Sequence, residues 1–351
     1  MSSRIARRRW TREIELEIDG VHLGSTGAVI VHGYEDPAGG KWHDSVIPAK
    51  VGAFDRQSGE RRWFAPCEVG YGRGFGAGYA AENQLLVLGP SASGHRAARL
   101  AADSGELEVL AAVGEFDEAH VGASVCVCVA PSEVFALSTA DLTPIWRLSA
   151  GGRRFHRSAR GAGQLFVAYS DKGSRLQGVG LIDLEQGRRF QPLIAANQPA
   201  LLGLAAAGER LAVLGEDLEQ LLPEGRRRDL QLERLMAEEE HGDYEAAEGI
   251  APARGQGGLA VYDIQGGEAR LGWYRDLPAK GEDLEAASLA MDSGKLYLAS
   301  GANLVILDGQ SGRELGRLVV PGLDEHVSWT IREGAFLLAE ENRLTLFEIP
   351  D

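Results

Sequence analysis

A short apolar run recurs seven times along the chain: Ala28-Val29-Ile30-Val31, Leu85-Leu86-Val87-Leu88, Val125 to Val129, Leu165-Phe166-Val167-Ala168, Leu211-Ala212-Val213-Leu214, Leu296-Tyr297-Leu298-Ala299 and Phe336-Leu337-Leu338-Ala339. Most follow a polar or glycine-bearing turn, as in Gly163-Gln164, Gly208-Glu209-Arg210 and Ser293-Gly294-Lys295. Runs this short, flanked this way, predict buried strands rather than helices. After most of them comes a second strand ending in an aspartate with a glycine four residues on. The copies are Asp55 with Gly59, Asp183 with Gly187, Asp263 with Gly267 and Asp308 with Gly312, and degenerate ones are Ala101 with Gly105 and Ser138 before Trp146. An aspartate there can accept the turn N–H groups while the glycine takes positive φ, so the pattern predicts a hairpin.

Each unit therefore reads as strand, turn, strand, Asp-x-x-x-Gly turn, strand. Asp263, Asp308 and Glu348 mark a spacing of 45 and then 40 residues. Four-stranded units at that period predict the blades of a β-propeller. The fullest copy, Ala53-x-Asp55-x-x-x-Gly59-x-x-x-Trp63, resembles the tryptophan-docking repeat of quinoprotein-like (PQQ-type) propellers. The resemblance implies that Trp63, and Trp146 in its own copy, pack between neighbouring blades.

The last unit, Gly334 to Pro350, lacks an outer strand, and Arg8-Arg9-Trp10-Thr11-Arg12-Glu13-Ile14 supplies an orphan one with its own Trp10. Pairing the two termini closes the ring and removes an exposed edge. The expected architecture is all-β: a single propeller of about seven blades over 1–351. Its blades span roughly 15–65, 66–112, 113–150, 151–195, 196–278, 279–320 and 321–351 plus 1–14.

Two units break the repeat, both between their second and third strands, and loops on a rigid scaffold are where binding residues collect. In blade one the insertion runs from His32 to Asp44 and carries Tyr34 and Trp42. In blade five, residues 216–257 form a larger, partly helical insertion with Leu232, Leu235 and Met236 between Arg226-Arg227-Arg228 and Glu238-Glu239-Glu240. These five apolar side chains are the candidate contacts for a protein partner. Loops at that position emerge beside the blade-to-blade connections. The connections carry Asp117, Glu118, His120, His156, Asp324, Glu325 and His326, a candidate ring of carboxylates and imidazoles at the channel mouth.

The net charge of −15 disfavours nucleic acid as the main partner. No apolar run reaches membrane-spanning length, and the basic N-terminus is followed by Thr11-Arg12-Glu13-Ile14-Glu15 rather than an apolar stretch, so cytoplasmic location without membrane insertion is expected. Of the three cysteines, Cys126 and Cys128 alternate on one strand with Cα atoms roughly 6.6 Å apart. They read as reduced core thiols, as suits a reducing compartment.

Gly-x-Ser-x-Gly, His-Glu-x-x-His and the phosphate-binding Gly-Lys-Ser/Thr are all missing. The adjacent cysteine pair that the resemblance would require for quinone-dependent alcohol oxidation is interrupted by Val127. No cofactor is expected. The leading expectation is a non-enzymatic interaction scaffold within an assembly. The alternative is a small-ligand or metal binder at the channel mouth, possibly an enzyme of quinoprotein-like type.

Overall fold

The computed structural model describes residues 4–24, 27–34, 49–67, 69, 76–81, 83–91, 94–185, 187, 189–198, 201–222, 224–230, 232, 256–280, 284, 287–324 and 327–349. These residues form seven sheets, five of them antiparallel with four strands in chain order and two completed by strands from the N-terminal segment. Blade one holds β3 (Glu17–Leu23), β4 (Ala28–Tyr34), β5 (Ala49–Asp55) and β6 (Arg61–Cys67). Blade two holds β7 (Gly76–Ala81), β8 (Gln84–Ser91), β9 (Gly94–Ala101) and β10 (Leu107–Ala112). Blade three is β11 (Glu118–Val121), β12 (Val125–Ala130), β13 (Glu133–Ser138) and β14 (Pro144–Ser149). Blade four is β15 (Arg153–Arg160), β16 (Gln164–Asp171), β17 (Gln177–Asp183) and β18 (Phe190–Gln198). Blade five is β19 (Leu201–Ala207), β20 (Arg210–Glu216), β21 (Gln256–Gln265) and β22 (Glu268–Lys280), and blade six is β23 (Ser288–Asp292), β24 (Lys295–Ser300), β25 (Asn303–Asp308) and β26 (Glu314–Val319).

Blade seven joins the two ends of the chain. To β27 (Ser328–Arg332), β28 (Ala335–Glu340) and β29 (Arg343–Glu348) it adds β2 (Arg7–Glu13), which runs antiparallel to β29 as the outer strand. This is the expected closure. Beyond expectation, β1 (Arg4–Ile5) runs parallel to β26 and gives blade six a fifth strand. The first strands thus tie two blades together. At the turn between β27 and β28, Arg56 of blade one donates to the Arg332 carbonyl at 2.8 Å and to Glu333 at 3.2 Å, and Glu333 N donates to Asp292 of blade six at 2.8 Å.

The core explains why the apolar runs are continuous rather than alternating. Successive side chains on a strand point to opposite faces, and each blade is covered on both faces by its neighbours. Leu85 and Val87 pack with blade one, whereas Leu86 and Leu88 pack with blade three. Ile30 likewise faces blade two, while Val29 and Val31 face blade seven. Among the described residues one such cluster lies at each of the seven seams. Burial of one large aliphatic side chain contributes about 1.5–3 kcal/mol over exposure.

Near the rim the seams are held by a second device. Trp63 on β6 lies against Gly105 of blade two and donates from Nε1 to the Ala102 carbonyl at 2.9 Å. Gly105 has φ +73, and a β-carbon there would meet the indole at 2.5 Å, so both space and backbone demand glycine. Trp10 on Gly59, Trp146 on Gly187 and Trp273 on Gly312 repeat the contact, each with an indole N–H on a neighbouring carbonyl. At two other seams the pair is altered. Val109 and Leu142 share the apolar cluster between blades two and three, and between blades four and five Gln191 takes the tryptophan's place and donates to the carbonyl of a retained glycine, Gly267, at 2.7 Å.

The aspartates divide into two groups. Asp55 accepts from Gln57 N and Ser58 N at 2.8 and 2.9 Å, and Asp308 accepts from Gln310 N and Ser311 N. Asp183 accepts from Glu185 N at 2.9 Å. Asp263 differs from the sequence expectation. It lies within β21, where Arg210 Nε donates to it at 3.1 Å, because the hairpin is extended to a two-residue turn at Gly266 and Gly267. Their φ values of 59° and 82° are those of a primed hairpin turn, which leaves no turn N–H for Asp263.

Candidate functional site

Strand direction decides where the irregular loops lie. Strands alternate in direction across a blade, so the connection from second to third strand shares an end with the connection to the next blade. The chain leaves β4 at Tyr34 and returns at Ala49. It leaves β20 at Glu216 and returns at Gln256. Both excursions therefore open on one end of the ring, on blades separated by blades six and seven.

Tyr34 is half-buried, opposite Glu17 on β3 and Ala49 on β5. Trp42 lies outside the described residues, as do Leu235 and Met236. The blade-five excursion is anchored where it is described. A 3-10 turn at Leu218–Leu221 buries Leu218 against blade five, and Leu222 and Leu230 are buried too. Residues 224–230 are helical, and Leu232, just beyond, is 52% exposed.

The described channel-mouth candidates stand on blades three and four and in the connection before blade seven. Glu118 and His120 stand on the inner strand β11 itself, one residue past Asp117, whose N–H donates to the Val129 carbonyl. Asp324 lies in the connection between blades six and seven, and Glu325 and His326 lie outside the described residues. His156 on β15 is bonded to Ser170 at 2.9 Å. Burial lowers its pKa.

What does converge is a pair of residues that sequence reasoning missed, Ser158 and Arg160. Glu118 Oε2 accepts from Ser158 N at 2.7 Å and from Ser158 Oγ at 2.5 Å, and His120 Nε2 lies 2.6 Å from the same hydroxyl. Arg160 donates to the His120 and Val125 carbonyls, both at 3.0 Å. The signal was present as spacing, since Glu118–Ser158 and His120–Arg160 are each 40 residues apart, about one blade. It becomes visible only once the blades are aligned.

The electrostatics follow from partial enclosure. The Glu118 and His120 side chains retain 35% and 21% of their exposure, so they border the channel. Burial pushes the Glu118 carboxyl up against the two bonds from Ser158, and burial, then the Arg160 charge, lowers His120 to about 4. With Glu118 ionised, the one hydroxyl proton of Ser158 goes to the carboxylate, and His120 Nε2 must be a donor. That is the reverse of what an activating base requires. The cluster is suited to joining blades three and four.

A second imidazole pair, His22 and His32, stacks at 5.8 Å in blade one, where Gly20 is needed because a β-carbon would strike the His32 ring. Burial lowers His22 to about 4 and His32 further. Among the described residues no group of three or more His, Cys, Asp or Glu side chains is placed to hold a metal ion. Nor is any helix among them long and apolar enough to cross a membrane.

No protein-family model matches the chain, and no curated protein sequence matches it. Similar solved structures number 1015 chains, a breadth at which likeness of fold selects no function. The hydrazine synthase of Kuenenia stuttgartiensis is similar over 96% of both chains, with a TM-score of 0.62 and 11% identity, which shows the fold alone. BamB from Moraxella catarrhalis is similar over 98% of this chain and 100% of its own, with a TM-score of 0.49 and 14% identity.

Proposed function

We propose that this chain is a non-enzymatic propeller whose insertion-bearing end contacts a partner protein within a larger assembly. The observation that carries the reading is the common origin of the two long excursions. Both leave from second strands, so both stand on one end of a rigid ring. Leu232 adds an exposed apolar side chain just beyond the anchor at Leu230. The channel cluster supports the reading by elimination, since Ser158 is engaged by both Glu118 and His120. The tryptophan–glycine docks favour placing the chain among quinoprotein-like propellers, and three free buried thiols favour a reducing, cytoplasmic setting.

The test replaces residues 35–48, or residues 233–255, by a short Gly-Ser turn and compares each chain with the intact one in affinity capture from the native host. A defined partner kept by the intact chain and lost with one replacement is the expected result. Equal recovery by all three chains overturns the reading.

A further inference from the structure

The seam between blades six and seven is unlike the other six. Gly316 stands where the tryptophan of a dock would stand, eight residues after Asp308, and blade seven offers no turn to receive one because the chain ends divide its outer hairpin. The same seam is bridged instead by the N-terminal residues, and it holds a groove of about 470 Å³.

Its floor is formed by Phe347, Thr345 and Thr11, and its lips carry Ile5, Arg8 and Arg343. Ile5 is 75% exposed, more than any other large hydrophobic residue among those described. Arg8 is aimed here by a bulge. It pairs with Phe347 while Trp10 pairs with Leu346, so the extra residue at Arg9 turns two even-numbered side chains to opposite faces. Phe347 belongs to the core shared with blade six and Leu346 to the core shared with blade one.

The charge of this surface opposes that of the chain. Residues 4–12 hold five arginines and no acid, in a protein of net charge −15. Arg12 is engaged by the Gly59 and Ser58 carbonyls, and among the described residues Arg7 and Arg9 make only long contacts, 4.0 and 3.7 Å, with Glu348. Glu340, the one acid of the lining, is bonded to Arg343. Among the described residues no acid pairs with Arg8.

We propose that this groove binds an extended acidic segment of a partner protein that carries one apolar side chain. The acidic group meets Arg8 and the apolar side chain lies along Ile5 and the floor. β1, hydrogen-bonded on one edge only among the described residues, offers its other edge to the segment's backbone. The charge complementarity selects an acidic occupant, and the acidity of the remaining surface disfavours a long polyanion such as nucleic acid. This site lies on the outer wall and stands independently of the insertion face.

The test selects short random peptides, displayed on phage, against the full chain and then measures the survivors against Arg8→Glu and Ile5→Ser. Both positions are exposed, and an unchanged melting temperature confirms that each variant folds. The expected survivors share acidic residues and one apolar residue, lose affinity at higher salt, and bind about tenfold more weakly to each variant, as loss of one charge-assisted or one buried apolar contact implies. Survivors without acidic bias, survivors indifferent to both substitutions, or no survivors at all overturn the proposal. So does concentration-dependent dimerisation abolished by Arg8→Glu, which assigns the groove to a second copy. Tighter binding of a nucleic-acid oligomer than of any peptide does the same.

Discussion

An indole lying on a glycine leaves no room for a side chain at the glycine. Trp63→Ala removes a buried ring and its bond to Ala102, and we expect a loss of about 3–5 kcal/mol by urea unfolding. Between blades two and three Val109 and Leu142 stand at the positions of the tryptophan and the glycine and share one apolar cluster, with Leu142 at φ +61. Trp63→Val combined with Gly105→Leu is therefore expected to cost less than the sum of the two single changes, and strict additivity would refute the pairing. Asp55 adds a pH dependence. The Arg62 guanidinium, followed by the turn N–H groups, holds its carboxyl at about 2 against 3.8, so its stabilisation is present above 3.8 and lost as pH falls through about 2. Asp55→Asn is expected to flatten that part of the acid-unfolding curve. At this scale the sequence was readable wherever one motif holds donor and acceptor, as in Asp55-x-x-x-Gly59. It was not readable for Asp263, because two extra ladder pairs before the turn leave the residue type unchanged and remove its partners.

Single strands were legible in proportion to how fully both their faces are covered. The second strand of each blade announces itself as a continuous apolar run because two seams claim its alternate residues. The inner strands border the channel and mix polar with apolar positions, as β11 does with Glu118-Ala119-His120-Val121. Their polar residues look like connection residues until the register is known, and that is why Glu118 and His120 read as part of the connection before β11. The joint between β11 and β15 yields two expectations. Glu118→Gln keeps an acceptor for Ser158 without a charge to desolvate, so its neutral-pH stability should match or exceed that of the parent. A loss above about 1.5 kcal/mol would show that the charge itself is required. Burial holds His22 and His120 at about 4 against 6.5, so stability present above 6.5 is lost as pH falls towards 4. Glu118 acts in the opposite sense, its raised pKa favouring the fold at the acid end. His120→Gln should shallow the decline in a pH series of unfolding midpoints.

For the molecule as a whole, closure was legible because a strand with a tryptophan stood unpaired at one end and a blade lacking a strand at the other. The crossing of β1 to blade six was not, since two residues carry no periodicity. Removal of residues 1–13 should expose β29 as an edge, lower the unfolding midpoint and promote association. A peptide of residues 4–13 added in trans should reverse both effects, and its Trp10→Ala form should not. Failure of the native peptide to bind would sink the closure account. The same pairing sets an order in time. Thr11 meets Thr345 across 334 residues of chain, so β2 has no partner until the residues that separate it from β29 have been made. At about 5–20 residues per second that wait lasts roughly 17–67 s. For that interval the nascent protein is an open arc with two uncovered flanks. Its arginine-rich leading strand is then available to whatever binds it first.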